Sequence, residues 1–234
     1  MFIAISWGCN MENSLIIENV SFKFSKEKSF FFKDVSLRFS MSALHYIVGD
    51  NGSGKSTLLR LILNQLSPGE LLEGTIHRKG LIHLVAQNYN QMVAPSFSFE
   101  KNISFAKFGK YPRLSPLSNM QMMPHFVEKF NIALNRPVDS FSGGQKQIVA
   151  ILMALQKPID ILLLDEPTAA LDKDNTSLLL NFLNDLVQEM NVTVIMICHQ
   201  QSHIKRCGKS SCVYLNVDKD NELRSVKQYE LCDS

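Results

Sequence analysis

Residues 14–24, SLIIENVSFKF, and 32–39, FKDVSLRF, alternate apolar with polar positions, Val35, Leu37 and Phe39 falling on one side. A period of two predicts half-buried strands, here an antiparallel β-region opening the chain. SALHYIV (42–48) is apolar almost throughout, as in a strand covered on both faces. In KSTLLRLILNQL the period changes: Leu58, Leu61, Ile62 and Gln65 recur at helical spacing, and Pro68-Gly69 stops the helix. LIHLVAQ (81–87) is a short strand. Beyond it Pro95, Pro112, Pro116 and Pro124 interrupt residues 88–139, leaving short helical stretches between them. GGQKQIVAILMALQK then reads as a helix and DILLLDE as a buried strand. DNTSLLLNFLNDLVQEM carries Leu179, Phe182, Leu183, Leu186 and Met190 on one face, and NVTVIMICH is a second buried strand. Strands and helices in alternation predict an α/β fold, a parallel sheet with helices on its faces.

A length of 234 residues suits one large domain. The expected organisation is an extension at 1–10, with Met11 as an alternative start, and a single domain over 11–234. A helical subdomain at about 88–155 is inserted in its core. The hydrophobic fraction of 45% and charged fraction of 20% are those of a globular protein in water. A net charge of +2 with scattered basic residues nominates no nucleic-acid partner. Five cysteines without a CxxC pair point to a reducing compartment, Cys198 being a buried thiol. MFIAISWGCN is too short to span a membrane and lacks a basic flank. A cytoplasmic location is expected, any membrane attachment coming through a partner.

Candidate chemistry begins at Gly49-Asp50-Asn51-Gly52-Ser53-Gly54-Lys55-Ser56, followed by Thr57. This is G-x-x-x-x-G-K-S between a strand and a helix, the context a phosphate loop requires. Glycines let several N–H groups point inward, and the helix adds its positive dipole end. Lys55 would reach the β- and γ-phosphates and Ser56 would offer a hydroxyl to Mg²⁺. In ILLLDEP the apolar strand delivers Asp165 to the sheet's C-terminal edge, where it can hold the Mg²⁺ shell. Glu166 beside it can orient or polarise a water. Adjacent carboxylates ending a buried strand are unfavourable unless a cation or hydrogen bonds satisfy them.

SFSGGQKQ (140–147) shortly precedes LLLDEP, and with the two motifs above it resembles the LSGGQ signature of ATP-binding-cassette (ABC) ATPases, Phe141 standing in the first place. The resemblance runs from about residue 14 to 215. It implies ATP and Mg²⁺ as ligands, with Ser142, Gly143, Gly144 and Gln145 reaching the γ-phosphate on the P-loop of a second copy. Gln87 then falls in the Q-loop, near Mg²⁺ and the membrane partner. Asp172 of TAALD falls in the D-loop, His199 at the switch histidine and Phe24 at the aromatic that stacks on adenine. The Mg²⁺ set is accordingly Ser56, Gln87 and Asp165, and the catalytic pair Glu166 and His199. Two departures stand out: Gln200 replaces the usual acidic residue after the switch histidine, and Ile148 and Met153 stand where many relatives have arginines.

The resemblance further implies a head-to-tail homodimer energising separate transmembrane permease subunits, at the inner face of the cell membrane. VAQNYNQMVAPSFSFEKNISFA and the LMA of the signature helix are similar to a bacterial importer subgroup linked to amino-acid uptake, with a solute-binding protein as a further partner. The Met-rich NMQMMPHF is a candidate contact for a membrane-subunit helix. The alternative is a soluble ABC ATPase acting on nucleic acid or in complex assembly. Only about fifty residues, broken by prolines, separate Gln87 from Ser140, which leaves no room for the long coiled coil of chromosome-maintenance members.

Overall fold

In the computed structural model, residues 13–88, 92–109, 124–169, 171–198, 210–217 and 223–231 are described. His199 and Gln200, the 1–10 extension and most of the Met-rich stretch lie outside them. The elements are β1 (Asn13–Lys23), β2 (Phe32–Ser40), β3 (Leu44–Gly49), α1 (Lys55–Ile62), β4 (Leu71–Arg78) and β5 (Ile82–Val85). They continue with α2 (Phe99–Phe108), α3 (Pro124–Lys129), a 3-10 turn (Val138–Ser140), α4 (Gly143–Ala154), β6 (Ile161–Asp165), α5 (Lys173–Met190), β7 (Thr193–Cys198), β8 (Ser210–Val217) and β9 (Arg224–Leu231).

The nine strands among the described residues share one mixed sheet, in the order β4-β1-β2-β9-β8-β3-β7-β6-β5. The uniformly apolar strands pair in parallel at one end, β8-β3-β7-β6-β5. The alternating strands pair antiparallel at the other, β4-β1-β2. β9 turns back antiparallel on β8 and meets β2 in a single parallel pair, Phe32 with Arg224. Side-chain alternation explains why the central strands need apolar residues at every position. Tyr46, Leu162, Leu164 and Met196 enter one apolar cluster with α4 and α5. Ile47, Leu163, Ile195 and Ile197 enter a second cluster on the other face with α1, β1 and β2.

The structure differs from the sequence reading in its details. α1 ends at Ile62, earlier than Pro68-Gly69, because Leu63 and Asn64 close a turn onto Leu59 and Leu61. Asn64 is left-handed there (φ 57°). Met190 is exposed in the last turn of α5, while Leu179, Phe182, Leu183 and Leu186 are buried. β4, β8 and β9 went unread in the sequence. Phe99, Ile103, Phe130, Ile132 and Phe141, from around the helical segments, join the same buried cluster as α4, α5, β6 and β7.

A nucleotide-type candidate site

β3 ends in Gly49, and the loop that follows returns to α1 through Gly54 at φ 104°, a left-handed conformation suited to glycine. A Cβ at Gly54 would lie 2.8 Å from both the Phe31 and Phe32 rings. A Cβ at Gly49 would lie 2.5 Å from the Leu215 carbonyl oxygen and 2.5 Å from Ser53 Oγ. Space therefore demands glycine at both ends of the loop, and dihedral freedom demands it at Gly54 as well. Lys55 is 6% exposed and folds back over the loop, donating to the carbonyls of Gly49 (2.7 Å) and Asp50 (3.0 Å). Burial pushes its ammonium below the usual lysine range, against the opposing pull of the Glu166, Asp50 and Asp165 carboxylates.

Ser53 Oγ is fully buried with no hydrogen-bond partner among the described residues. A buried hydroxyl without a partner is unfavourable by itself, and an anion or a water in the loop would satisfy it. An unpartnered hydroxyl, side-chain-free glycines and a half-withdrawn lysine fit a phosphate chain. Asn51 and Gly52 are exposed at the loop's tip, Ser56 is exposed, and Thr57 is half-buried on α1.

β6 presents Asp165, half-buried, at its C-terminal end, in register with Ile197 of β7. Glu166 leaves the strand with φ 50°, a left-handed conformation that strains a non-glycine residue. Gln87, two residues beyond β5, donates from Nε2 to Glu166 Oε2 at 3.2 Å. The donors expected for Mg²⁺, namely the Ser56 hydroxyl, the Gln87 amide oxygen and the Asp165 carboxylate, are all oxygens. Among the described residues no cluster of three His, Cys, Asp or Glu offers a rival site. One carboxylate with neutral oxygens suits a cation that keeps phosphate and water among its ligands, as Mg²⁺ does.

The SGGQ stretch forms a second, separate turn. Ser142 caps α4, accepting from the Gln145 backbone N–H at 3.2 Å, while its own N–H donates to Gln145 Oε1 at 3.1 Å. Gln145 Nε2 also donates to the carbonyls of Phe130 and Asn131, so the turn is held from the α3 side. Gly144 packs on Asn175, whose Oδ1 would lie 2.7 Å from a Cβ placed there. Asn175 in turn bonds both carboxylate oxygens of Asp172, the N-cap of α5. Ser142 and Gly143 face solvent.

Phe24, just past β1, is half-buried and meets Phe22 and Phe31 edge-on, each at 4.9 Å. Cys198, last residue of β7, is buried and its thiol is pushed up to about 12, chiefly by that burial. It is an unreactive thiol at neutral pH. Thus Gly49–Thr57, Asp165, Glu166 and Gln87 gather at one sheet edge, whereas Ser142–Gln145 and Asp172 form a second group through Asn175. Sequence reasoning missed Asn175 and the left-handed Glu166. It also missed the ring row beside Phe24, although the run Phe30-Phe31-Phe32 was a legible signal.

Residues 32–169 match the family profile described as ABC transporter. The chain is 33% identical over 229 residues to the methionine import ATP-binding protein MetN 1 of Enterococcus faecalis, covering 90% of this chain and 63% of that protein. It is 29% identical over 201 residues to the molybdate import ATP-binding protein MolC of Haemophilus influenzae, covering 83% and 76%. The chain therefore spans less than two thirds of MetN 1. In fold it is similar to cbiO1 from Clostridium perfringens, part of the ABC transporter complex cbiONQ, with a TM-score of 0.68 at 22% identity over 86% of this chain and 84% of that one. Phosphate loop, capped SGGQ turn and DE-ended strand occur in that order within the matched span, and the chain belongs to the ABC transporter ATPase family.

Proposed function

We propose that this chain binds and hydrolyses ATP to energise uptake of a small solute, such as an amino acid, through separate membrane permease subunits. The observation that carries the reading is the meeting of Glu166, Gln87 and Lys55 at one sheet edge. A carboxylate able to orient a water, an amide holding it, and a cation over a phosphate loop are the parts phosphoryl transfer to water requires. The phosphate chain replaces the Gly49 and Asp50 carbonyls as partner of Lys55 and satisfies Ser53. Ser56, Asp165 and Gln87 would hold Mg²⁺, which neutralises charge on the phosphates when bound. Phe24 takes the adenine ring, Glu166 aligns the attacking water, and His199 contacts the γ-phosphate.

The SGGQ turn supports a two-copy arrangement. Ser142 and Gly143 face solvent at a helix N-terminus, so they can serve the phosphate loop of a second, head-to-tail copy. No helix among the described residues is long and apolar enough to cross a membrane. This accords with a peripheral subunit at the inner membrane face. The two relatives above are named for import of methionine and of molybdate, and the importer-like Q-loop stretch favours the amino-acid class, delivered by a solute-binding protein.

Glu166→Gln tests the core of this reading. The substitution leaves ATP affinity near wild type and lowers turnover by about 100-fold or more, the range of a lost general base. Steady-state phosphate release beside equilibrium binding checks it, and undiminished hydrolysis would remove Glu166 from its role. Purification of the tagged chain from gently solubilised membranes tests the transport assignment, which requires a multi-spanning subunit to come with it.

A further inference from the structure

The two parts of the sheet that carry the nucleotide-type residues are joined at one narrow place. β2 and β9 share a single register pair, Phe32 with Arg224, where the Arg224 N–H donates to the Phe31 carbonyl at 3.4 Å. Further along, the Gln228 amide ties the two strands instead of a backbone ladder, accepting from the Arg38 N–H at 2.9 Å. Phe24 belongs to the antiparallel side of this junction and the phosphate loop to the parallel side.

A row of side chains crosses the junction. The Arg224 guanidinium lies 4.0 Å from the centroid of the Phe31 ring. Phe31 stands edge-on to Phe24 at 4.9 Å and to Phe32 at 5.0 Å. Both Phe31 and Phe32 press on Gly54, the residue that opens α1. Phe31 therefore touches the aromatic expected to carry the base and the loop expected to carry the phosphates. Its half-buried ring meets Phe22, Phe24 and Phe32 edge-on, and the flat guanidinium of Arg224 covers its face.

We infer that Arg224 is a positioning residue for the nucleotide base: stacked on Phe31, it sets where Phe24 stands relative to the phosphate loop. This rests on the ATP-binding reading above. Gly54 is also held by the buried Phe32 ring, so loss of the Arg224–Phe31 stack falls on the base end of the nucleotide more than on the phosphate end.

Two probes separate those ends. Titrations of ATP and of inorganic tripolyphosphate, each with Mg²⁺, are run on wild type, Arg224→Met and Arg224→Lys. Arg224→Met weakens ATP about 5-fold, the factor a partly desolvated cation–π contact supplies, and leaves tripolyphosphate unchanged. Arg224→Lys keeps the charge without the flat stack and weakens ATP by a smaller factor, again without touching tripolyphosphate. ATP affinity unchanged in Arg224→Met overturns the inference, as does equal weakening of both ligands, which is the mark of general damage to the fold. Lys55→Ala keeps the two readings apart. If it binds both ligands as wild type does, the phosphate loop assignment fails, whatever Arg224 does.

Discussion

Acidification should loosen the strand that leads into the phosphate loop, and the size of the effect can be worked from His45. This residue sits at the second position of β3, fully buried, with Nε2 2.9 Å from the Ser40 carbonyl and Nδ1 2.8 Å from Ser211 Oγ. A carbonyl only accepts, so Nε2 carries the proton and Nδ1 accepts from the serine hydroxyl. That hydroxyl also accepts from Gln228 Nε2 at 3.0 Å. A second ring proton would thus force the serine hydroxyl to turn its own proton away, in a fully buried setting that disfavours the charge. Burial pushes the imidazole down to about 4 from the ordinary 6.5, the Ser40 carbonyl opposing only in part. The folded pKa is depressed, so between pH 6.5 and 4 the unfolded chain binds a proton that the folded chain refuses. Stability from this group is complete above pH 6.5 and is lost as pH falls towards 4. That gap is worth about 3 kcal/mol, of which about 2 kcal/mol is gone by pH 5. Urea unfolding followed by far-ultraviolet circular dichroism, at pH 7.5 and 5.0, measures the loss in wild type and in His45→Gln. Glutamine can still donate to Ser40 but does not titrate. Contributions from His83, pushed down by burial and the Lys157 charge, are common to both proteins and cancel. Wild type should lose about 2 kcal/mol more than the variant between the two conditions. Equal losses would show that His45 does not carry the acid sensitivity.

Ser142→Arg, placed in the Glu166→Gln background, should spare ATP binding by the single chain and abolish the ATP-dependent dimer; light scattering that still finds a dimer would refute the shared site. Loss of the Ser142 cap lowers stability by about 1 kcal/mol in the same variant. Asn102 is buried and satisfies the loop before α2, accepting from Ala94 N–H at 2.7 Å and donating to the carbonyls of Ala94, Phe97 and Ser98. Asn102→Leu strands these groups and should lower unfolding free energy by about 2–3 kcal/mol; an unchanged urea midpoint would show that the loop is held by other contacts.

What the sequence disclosed and what it hid follow from how far apart in the chain the partners lie. Gly49–Ser56 and Ser142–Gln145 are short stretches whose loop and cap geometry depends on the same few residues, so their local backbone was legible. β3, β6 and β7 were legible because a strand between two helical layers must be apolar on both faces. β9 was not: its exposure alternates irregularly, and Val226 and Leu231 pack on opposite faces, so no single apolar stripe marks the strand. Its tie to β2 joins Arg38 and Gln228 across 190 residues, and no local pattern encodes that. The Gln87–Glu166 hydrogen bond spans 79 residues and was visible only as two motif positions with no stated contact. The left-handed backbone of Glu166 was hidden for a different reason, since glutamate gives no sign of preferring it.

That backbone sets stability and chemistry against each other at one position. Glycine or asparagine would relax the φ of 50° at residue 166 by about 1 kcal/mol, yet neither supplies the carboxylate that Gln87 holds. Stability alone favours glycine or asparagine at this position, while the water-aligning role proposed for residue 166 requires glutamate. In the proposed ATPase, that strained dihedral is the cost of keeping a carboxylate beside Gln87.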